Sequence, residues 1–162
     1  MYQWIVFLHI LGSIIFFVAH GASMVMAFQL RREQKSERIR ALLDLSSAAV
    51  PAAYLGLLAL LIAGIVAGIM GNWFSRGWIW ASLALMVVLF FGMHGYAAAY
   101  YVPIRRAVGL PHRDRHGEYP AAPAASDAEV AAVVQRSNPL LLCGVSFALV
   151  AIILWLMVLK PF

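Results

Sequence analysis

The chain has 162 residues, of which 64% are hydrophobic and only 12% are charged. Soluble domains average about 45–50% apolar and about 25% charged residues, so this composition excludes an ordinary soluble fold and indicates an integral membrane protein. The net charge of +5 does not indicate nucleic-acid binding, because the basic residues border apolar segments, where they set membrane topology. The length suits one membrane domain over residues 1–162. The single cysteine, Cys143, excludes an intrachain disulfide.

Four segments are apolar enough to cross a bilayer, which takes about 20 residues per helix. They cover residues 4–29, 48–70, 78–102 and 140–159. The first lacks the basic leader of a cleaved signal, so we expect it to be a transmembrane helix. The third is predicted to end at Pro103, and its tight connection to the second makes these two spans antiparallel neighbours. The predicted fold is therefore all-α, a four-helix transmembrane bundle.

Positive charge is distributed unevenly between the two ends of the spans. Ten of the twelve Lys and Arg fall in the connections 30–47 and 103–138, and only Arg76 and Lys160 lie at the other end. By the positive-inside rule both long connections are cytoplasmic and both termini extracytoplasmic, and we expect the protein in the cytoplasmic membrane of a bacterium. The ten residues are Arg31, Arg32, Lys35, Arg38, Arg40, Arg105, Arg106, Arg113, Arg115 and Arg136.

The cytoplasmic connections contain local helix signals. Apolar residues at helical spacing over residues 39–43, between arginines, predict a short amphipathic helix on the inner leaflet. Residues 126–129 have the form of a capping box, which predicts a helix over residues 127–136. His112 and His116 fall in a segment rich in Gly, Pro and Ala that is predicted to be irregular. We therefore interpret them as solvated loop residues rather than metal ligands.

Three histidines lie inside the apolar segments, where an ionisable residue is costly and indicates a functional site. Counted at 1.5 Å per residue from each span's midpoint, His20 lies about 5 Å and His94 about 6 Å to the cytoplasmic side of the midplane. His9 lies about 11 Å outward, on nearly the same face of the first helix as His20. Two imidazoles at one depth on facing helices can hold a metal or a haem iron. Hydrogen bonds to neighbouring helices are the alternative interpretation.

The number of ligands favours haem b. A b-type haem needs two axial ligands, which bis-histidine ligation between spans one and three supplies. Zinc sites use three or four protein ligands, and no Asp or Glu occurs in any span. Copper(I) bound by histidine with Met24, Met26 or Met93 is the alternative. Without Cys-x-x-Cys-His, covalent c-type attachment is excluded. One haem is expected, or two if His9 binds a second with a non-histidine or intersubunit partner.

Four arginines end the two histidine-bearing helices at the cytoplasmic boundary, namely Arg31, Arg32, Arg105 and Arg106. Arginine binds carboxylates through two parallel hydrogen bonds, so these residues are candidate ligands of the haem propionates. Their alternative role is to set the topology alone.

The opening Phe7-Leu8-His9-Ile10-Leu11-Gly12 resembles the first-span Leu-His-Ile signature of small bacterial membrane proteins of the CopD-like and HemJ-like group. The C-terminal Leu156-Met157-Val158-Leu159-Lys160-Pro161 resembles the ending of a four-span family in the same broad group. HemJ-type proteins are haem-binding protoporphyrinogen oxidases, and CopD-type proteins are linked to copper. The resemblance implies haem in a small helical bundle, with His9 as a competing ligand.

These observations predict a haem b-binding membrane protein for electron transfer or haem handling. No general acid, base or nucleophile stands out, which favours a redox carrier or subunit over an independent enzyme. The expected partners are the lipid bilayer and a second copy or larger membrane redox complex, not nucleic acid. A cofactor-free accessory subunit of a larger complex and a copper-related membrane protein are the alternatives. A transporter or channel is disfavoured, because the spans lack acidic residues and broken helices.

Overall fold

A computed structural model describes residues 1–114 and 116–162, with the backbone alone at Met93. Arg115, counted above among the cytoplasmic charges, and the side chain of Met93, considered as a copper ligand, lie outside the described residues. Within the described part the elements are α1 (Tyr2–Leu30), α2 (Ser36–Met70), a 3-10 turn (Trp73–Ser75), α3 (Gly77–Ala107), β1 (His112–Asp114), β2 (Gly117–Tyr119), α4 (Asp127–Arg136) and α5 (Pro139–Leu159).

Four helical segments of the described chain are long and apolar enough to cross a membrane. They are α1, α2, α3 and the segment that ends in α5. The predicted all-α, four-helix transmembrane bundle is thus confirmed.

The second membrane helix begins earlier than predicted. α2 runs without a break from Ser36 to Met70, so the separate surface helix predicted near residues 39–43 is wrong. At 1.5 Å per residue, 35 residues extend about 52 Å, whereas the hydrocarbon core of a bilayer is about 30 Å thick. The first turns of α2 therefore project beyond the membrane. There Ile39 and Leu43 belong to the same buried cluster as Val130 of α4, so they face protein rather than lipid.

The third helix continues past its predicted end. α3 passes through Pro103, which is exposed, and ends at Ala107. Gly109, at φ 72°, then reverses the chain in the left-handed region that favours glycine. The N–H of Leu110 closes this turn on the carbonyl of Arg105 at 2.9 Å.

The segment between α3 and α4 contains more structure than predicted. β1 and β2 pair antiparallel with His112 opposite Tyr119, and the two rings stack with centroids 5.1 Å apart. The prediction of an irregular segment is therefore wrong at this hairpin. The predicted capping box is confirmed, because the Ser126 side chain accepts from the N–H of Glu129 and the Glu129 carboxylate accepts from the N–H of Ser126.

The four long helices pack as two pairs. α1 packs along α2, α3 packs on α5, and α2 and α3 contact each other only slightly although a short turn joins them. Gly12 and Gly56 mark the crossing of α1 and α2. A Cβ on Gly12 would lie 2.6 Å from the backbone nitrogen of Leu60, and one on Gly56 would lie 2.5 Å from that of Phe16. The backbones of α1 and α2 are therefore in direct contact at this crossing.

Candidate cofactor site

An apolar cavity of about 370 Å³ lies between α1, α2 and α3, in the half of the bundle nearest α4. We call it the inner cavity. Phe16 and His20 of α1, Tyr54 of α2, and His94 and Arg105 of α3 are among the residues that line it. Two histidines from different helices thus share one cavity.

The inner cavity opens sideways between α2 and α3. Val50 and Tyr54 of α2 and Phe90 of α3 line the cavity and are also exposed on the outer face of the bundle. Because this face is apolar and belongs to two helices that can cross a membrane, we expect the opening to face lipid rather than bulk water. A hydrophobic molecule can therefore reach the cavity from the bilayer.

His20 is held from two sides. Its Nε2 lies 2.6 Å from the hydroxyl of Ser146, a fully buried residue of α5. Its ring stacks on Phe16 with centroids 5.3 Å apart and planes 11° from parallel. Every buried side-chain nitrogen and oxygen of the described residues has a hydrogen-bond partner. The Nδ1 of His20 has no partner there, so this nitrogen is accessible rather than sealed in the packing.

His94 is held less tightly. Its Nδ1 lies 3.4 Å from the hydroxyl of Tyr54, a long hydrogen bond. Tyr54 in turn contacts Phe90 edge to face, with centroids 6.1 Å apart. His94 is exposed at the opening of the cavity, and its Nε2 has no hydrogen-bond partner among the described residues. Each of the two histidines therefore keeps one ring nitrogen available.

Of the four arginines predicted to contact propionates, Arg105 is the one that lines the inner cavity in the described structure. Its Nη1 donates to the Ser47 hydroxyl at 2.9 Å, and its Nε donates to the carbonyl of Pro111 at 2.9 Å. Arg31 and Arg106 are exposed elsewhere, and Arg32 borders a shallow surface depression with Glu33 and Arg38. One arginine, rather than four, is in place to contact an anionic group at the cavity.

His9 does not join His20 and His94. It lines a second cavity of about 240 Å³, which we call the outer cavity, near the turn between α2 and α3. Its Nδ1 lies 2.6 Å from the carbonyl oxygen of Leu60. Gly64 leaves room for the ring, because a Cβ there would lie 2.9 Å from it. The Gly64-x-x-x-Gly68 pattern thus accommodates aromatic side chains, His9 at Gly64 and Phe74 at Gly68.

The donor set limits the metals that this site can hold. Within the described residues no group of three or more His, Cys, Asp or Glu converges on one point. Zinc and other ions that need three or four such ligands are poorly matched. Two imidazoles suit an iron already bound by four macrocycle nitrogens, or a soft ion that also accepts a thioether.

Sequence reasoning missed the hydroxyl partners of the two histidines, Ser146 and Tyr54. The predicted depth of each residue in the membrane could have identified both partners. Counted from the midpoints of their spans, Ser146 lies about 5 Å and Tyr54 about 7 Å toward the α4 end, close to the depth of His20 and His94. Polar residues at the depth of an intramembrane histidine are its natural hydrogen-bond partners.

Comparison of the chain with models of known protein families, with curated proteins and with solved structures found no match.

Proposed function

We propose that the inner cavity binds one haem b, with His20 and His94 as axial ligands, and that the protein serves electron transfer or haem handling in the membrane. The observation that carries this proposal is the shared cavity, in which each histidine has one ring nitrogen engaged by a hydroxyl and the other without a partner. Metal-ligating histidines commonly use the second nitrogen in this way, because the hydrogen bond fixes the orientation of the ring.

The residues present fit this group. The volume of about 370 Å³ lies within the range of about 300–1,000 Å³ that is typical of small-molecule and cofactor sites. Apolar and aromatic side chains line most of the cavity, as a flat macrocycle requires, and two imidazoles complete the axial set of a b-type haem. Arg105 would bind a propionate at the end near α4. When bound, the haem supplies a one-electron couple.

The chain's own residues would set the properties of the iron. Ser146 and Phe16 hold the His20 ring in a fixed orientation, so this side is rigid. Tyr54 holds His94 at the lipid-facing opening through a longer contact. The His94 ring would therefore move more readily than the His20 ring to admit a macrocycle. We therefore propose entry between α2 and α3, from the bilayer.

Spectroscopy of the full-length protein tests the proposal. Purified in mild detergent after expression with ample haem, the protein should show a Soret band and reduced-minus-oxidised α and β bands. His20→Ala and His94→Ala should each lose most of the bound haem, because bis-histidine ligation needs both rings. His112→Ala is the matched control, since His112 lies in the β1–β2 hairpin. A protein without a Soret band, or equal spectra from all three variants, would contradict the proposal.

Copper(I) binding is a second candidate, favoured by one residue of the cavity lining. Met24 lines the inner cavity together with His20 and His94, and two imidazoles with a thioether suit this soft ion. Elemental analysis of the purified protein distinguishes the two candidates. Stoichiometric copper that is lost in Met24→Leu, without a Soret band, would replace the haem proposal.

The proposed location and orientation in the membrane follow from the distribution of basic residues. We propose residence in the cytoplasmic membrane of a bacterium, with the long connections inside, because ten of the twelve basic residues lie in them. The proposed electron partner is a second copy or a larger membrane redox complex. If the purified protein carries neither haem nor copper, a cofactor-free accessory subunit becomes the better hypothesis.

A further inference from the structure

The outer cavity has no part in the proposed haem site. It lies at the opposite end of the bundle, and α1, α2, α3 and α5 all contribute to its walls. Met86 of α3 lines both cavities, so the two spaces adjoin at this residue. A ligand of the outer cavity would therefore bind whether or not haem occupies the inner cavity.

His9 offers a hydrogen-bond acceptor in this cavity. Its Nδ1 contacts the carbonyl of Leu60 at 2.6 Å, and a carbonyl can only accept, so Nδ1 carries the proton. In this tautomer Nε2 has a lone pair and no proton. Because all buried polar side-chain atoms in the described part are satisfied and Nε2 has no partner there, this lone pair is accessible. Its natural partner is a hydroxyl group.

Lys160 offers a donor on the same cavity. Its ammonium lies 4.4 Å from the ring centroid of Trp73 and 5.7 Å from that of Trp78. Both indoles also line the cavity, and no carboxylate of the described residues pairs with Lys160. The segment after α5 is fixed over this end, because the N–H of Trp78 donates to the carbonyl of Phe162 at 3.2 Å. The ammonium thus lies beside two aromatic faces, and it can donate a hydrogen bond to an oxygen atom of a ligand.

The volume of the outer cavity and its opening limit the kinds of ligand that it can bind. A volume of about 240 Å³ is below the range of about 300–1,000 Å³ for sites that enclose a whole cofactor, so a macrocycle is too large but a single substituted ring fits. Ile65 lines the cavity and is 39% exposed on the lipid-facing side of α2. A ligand can therefore place its ring inside and leave a long apolar tail in the bilayer.

We propose that the outer cavity binds the head group of a lipid-soluble quinol. One ring hydroxyl donates to Nε2 of His9, another ring oxygen accepts from the Lys160 ammonium, and the ring packs against the indoles of Trp73 and Trp78. An aliphatic lipid chain would use neither the acceptor nor the aromatic faces. The quinone form has no hydroxyl for His9, so the site should prefer the reduced form.

Fluorescence quenching tests this inference, because Trp73 and Trp78 border the cavity. The full-length protein in detergent is titrated with a short-chain ubiquinone and, separately, with its quinol under anaerobic conditions. We expect saturable quenching by both, with tighter binding of the quinol. Empty micelles containing free tryptophan correct for quencher dissolved in the detergent.

Two variants and their matched controls test the two contacts. His9→Asn retains a donor for the Leu60 carbonyl and removes the Nε2 lone pair, so quinol binding should weaken about three- to tenfold while quinone binding changes little. Lys160→Met should weaken both about tenfold, because a charge-assisted hydrogen bond is lost. His112→Asn and Lys35→Met, on the connections, should bind as the unmodified chain does.

The outcomes separate this inference from the haem proposal. The Soret band is recorded on the same samples, and it should be unchanged in His9→Asn and Lys160→Met. Non-saturable quenching, equal affinity for quinol and quinone, or unchanged binding in both variants would overturn the quinol site. If His9→Asn unfolds, Lys160→Met still tests the quinol site. The Lys160 side chain lies at the end of α5 outside the buried core, so its replacement should not disturb folding.

Discussion

Two glycines set the distance between α1 and α2. A Cβ on Gly12 would approach the backbone nitrogen of Leu60 to 2.6 Å, and one on Gly56 would approach that of Phe16 to 2.5 Å. Both distances are too short for real contacts, and a backbone cannot rotate away as a side chain can. We predict that Gly12→Ala and Gly56→Ala each lower the free energy of unfolding by about 1–3 kcal/mol, the usual cost of overpacking. Reversible unfolding in mixed detergent micelles measures the change.

Gly21→Ala and Gly144→Ala are the matched controls for this prediction. Both positions are helical, and a Cβ there would have nothing within 4 Å. Alanine is the better helix former by about 1 kcal/mol, so these substitutions should leave stability unchanged or raise it. The sign of the change in the free energy of unfolding therefore distinguishes an effect of backbone contact from an effect of helix propensity. Equal destabilisation at all four positions would show that the crossing is not special.

The sequence indicates the intramembrane histidines but not the residues that contact them. His9, His20 and His94 stand out because an ionisable residue in an apolar segment is costly. Their partners do not stand out, because the partner depends on how each helix is rotated about its axis, and hydropathy does not specify this rotation. The glycines illustrate the same limit: Gly21 and Gly95, beside histidines, face open space, whereas Gly12 and Gly56 make the close contact.

The start of the short helix α4 contains two carboxylates whose hydrogen bonds depend on pH, one within its own capping box and one to α2. The pKa of Glu129 is lowered because the Ser126 hydroxyl and then its backbone N–H donate to the carboxylate. The pKa of Asp127 is lowered because the hydroxyl and then the N–H of Ser36, at the start of α2, donate to it. A lowered folded-state pKa contributes stability above the unfolded value, and that stability is lost as the pH falls through the folded value.

We therefore predict that acid loosens α4, beginning at its first turn, before it affects the membrane helices. Amide protection over residues 127–136, corrected for intrinsic exchange, should fall as the pH drops below the ordinary carboxyl values of 4.5 and 3.8, while protection in α1 stays constant. The Asp127→Asn/Glu129→Gln double variant should show weaker protection at neutral pH and little dependence on pH. A helix whose protection is the same from pH 6 to pH 3 in both proteins would refute this prediction.

Elements were predictable to the extent that their signals are local. The capping box at Ser126 was readable because all its contacts lie within four residues. The start of α2 was not, because charged side chains lower the hydropathy of its first turns. These turns belong to the bundle because Ile39 and Leu43 are buried beside Val130 and Val134, about ninety residues later. Pro103 predicts a helix end from sequence, but an exposed proline near a helix terminus costs the helix less than one in its interior.

The pairing of α1 with α2 and of α3 with α5 creates the inner and outer cavities. Hydropathy predicts four spans, and the short turn predicts that the second and third are adjacent, but neither specifies that α2 packs on α1 while α3 packs on α5. The gap between the pairs contains both cavities, which adjoin at Met86. The histidines therefore acquire their sites from tertiary packing, which explains why the sequence could indicate their depth but not that His9 has a separate cavity.

The distribution of charge is the feature of the chain that predicts which end of the bundle is cytoplasmic. Ten of the twelve basic residues lie in the two long connections, which should place the turn near Ser75 outside and the segment near Ala121 inside. Cys143 is 7% exposed, so a Cys143→Ala background removes the one native thiol, and both other positions are exposed. In intact spheroplasts a membrane-impermeant maleimide should label the Ser75→Cys variant, and the Ala121→Cys variant only after lysis. The opposite pattern would reverse the orientation and place the inner cavity, with Arg105, in the outer leaflet.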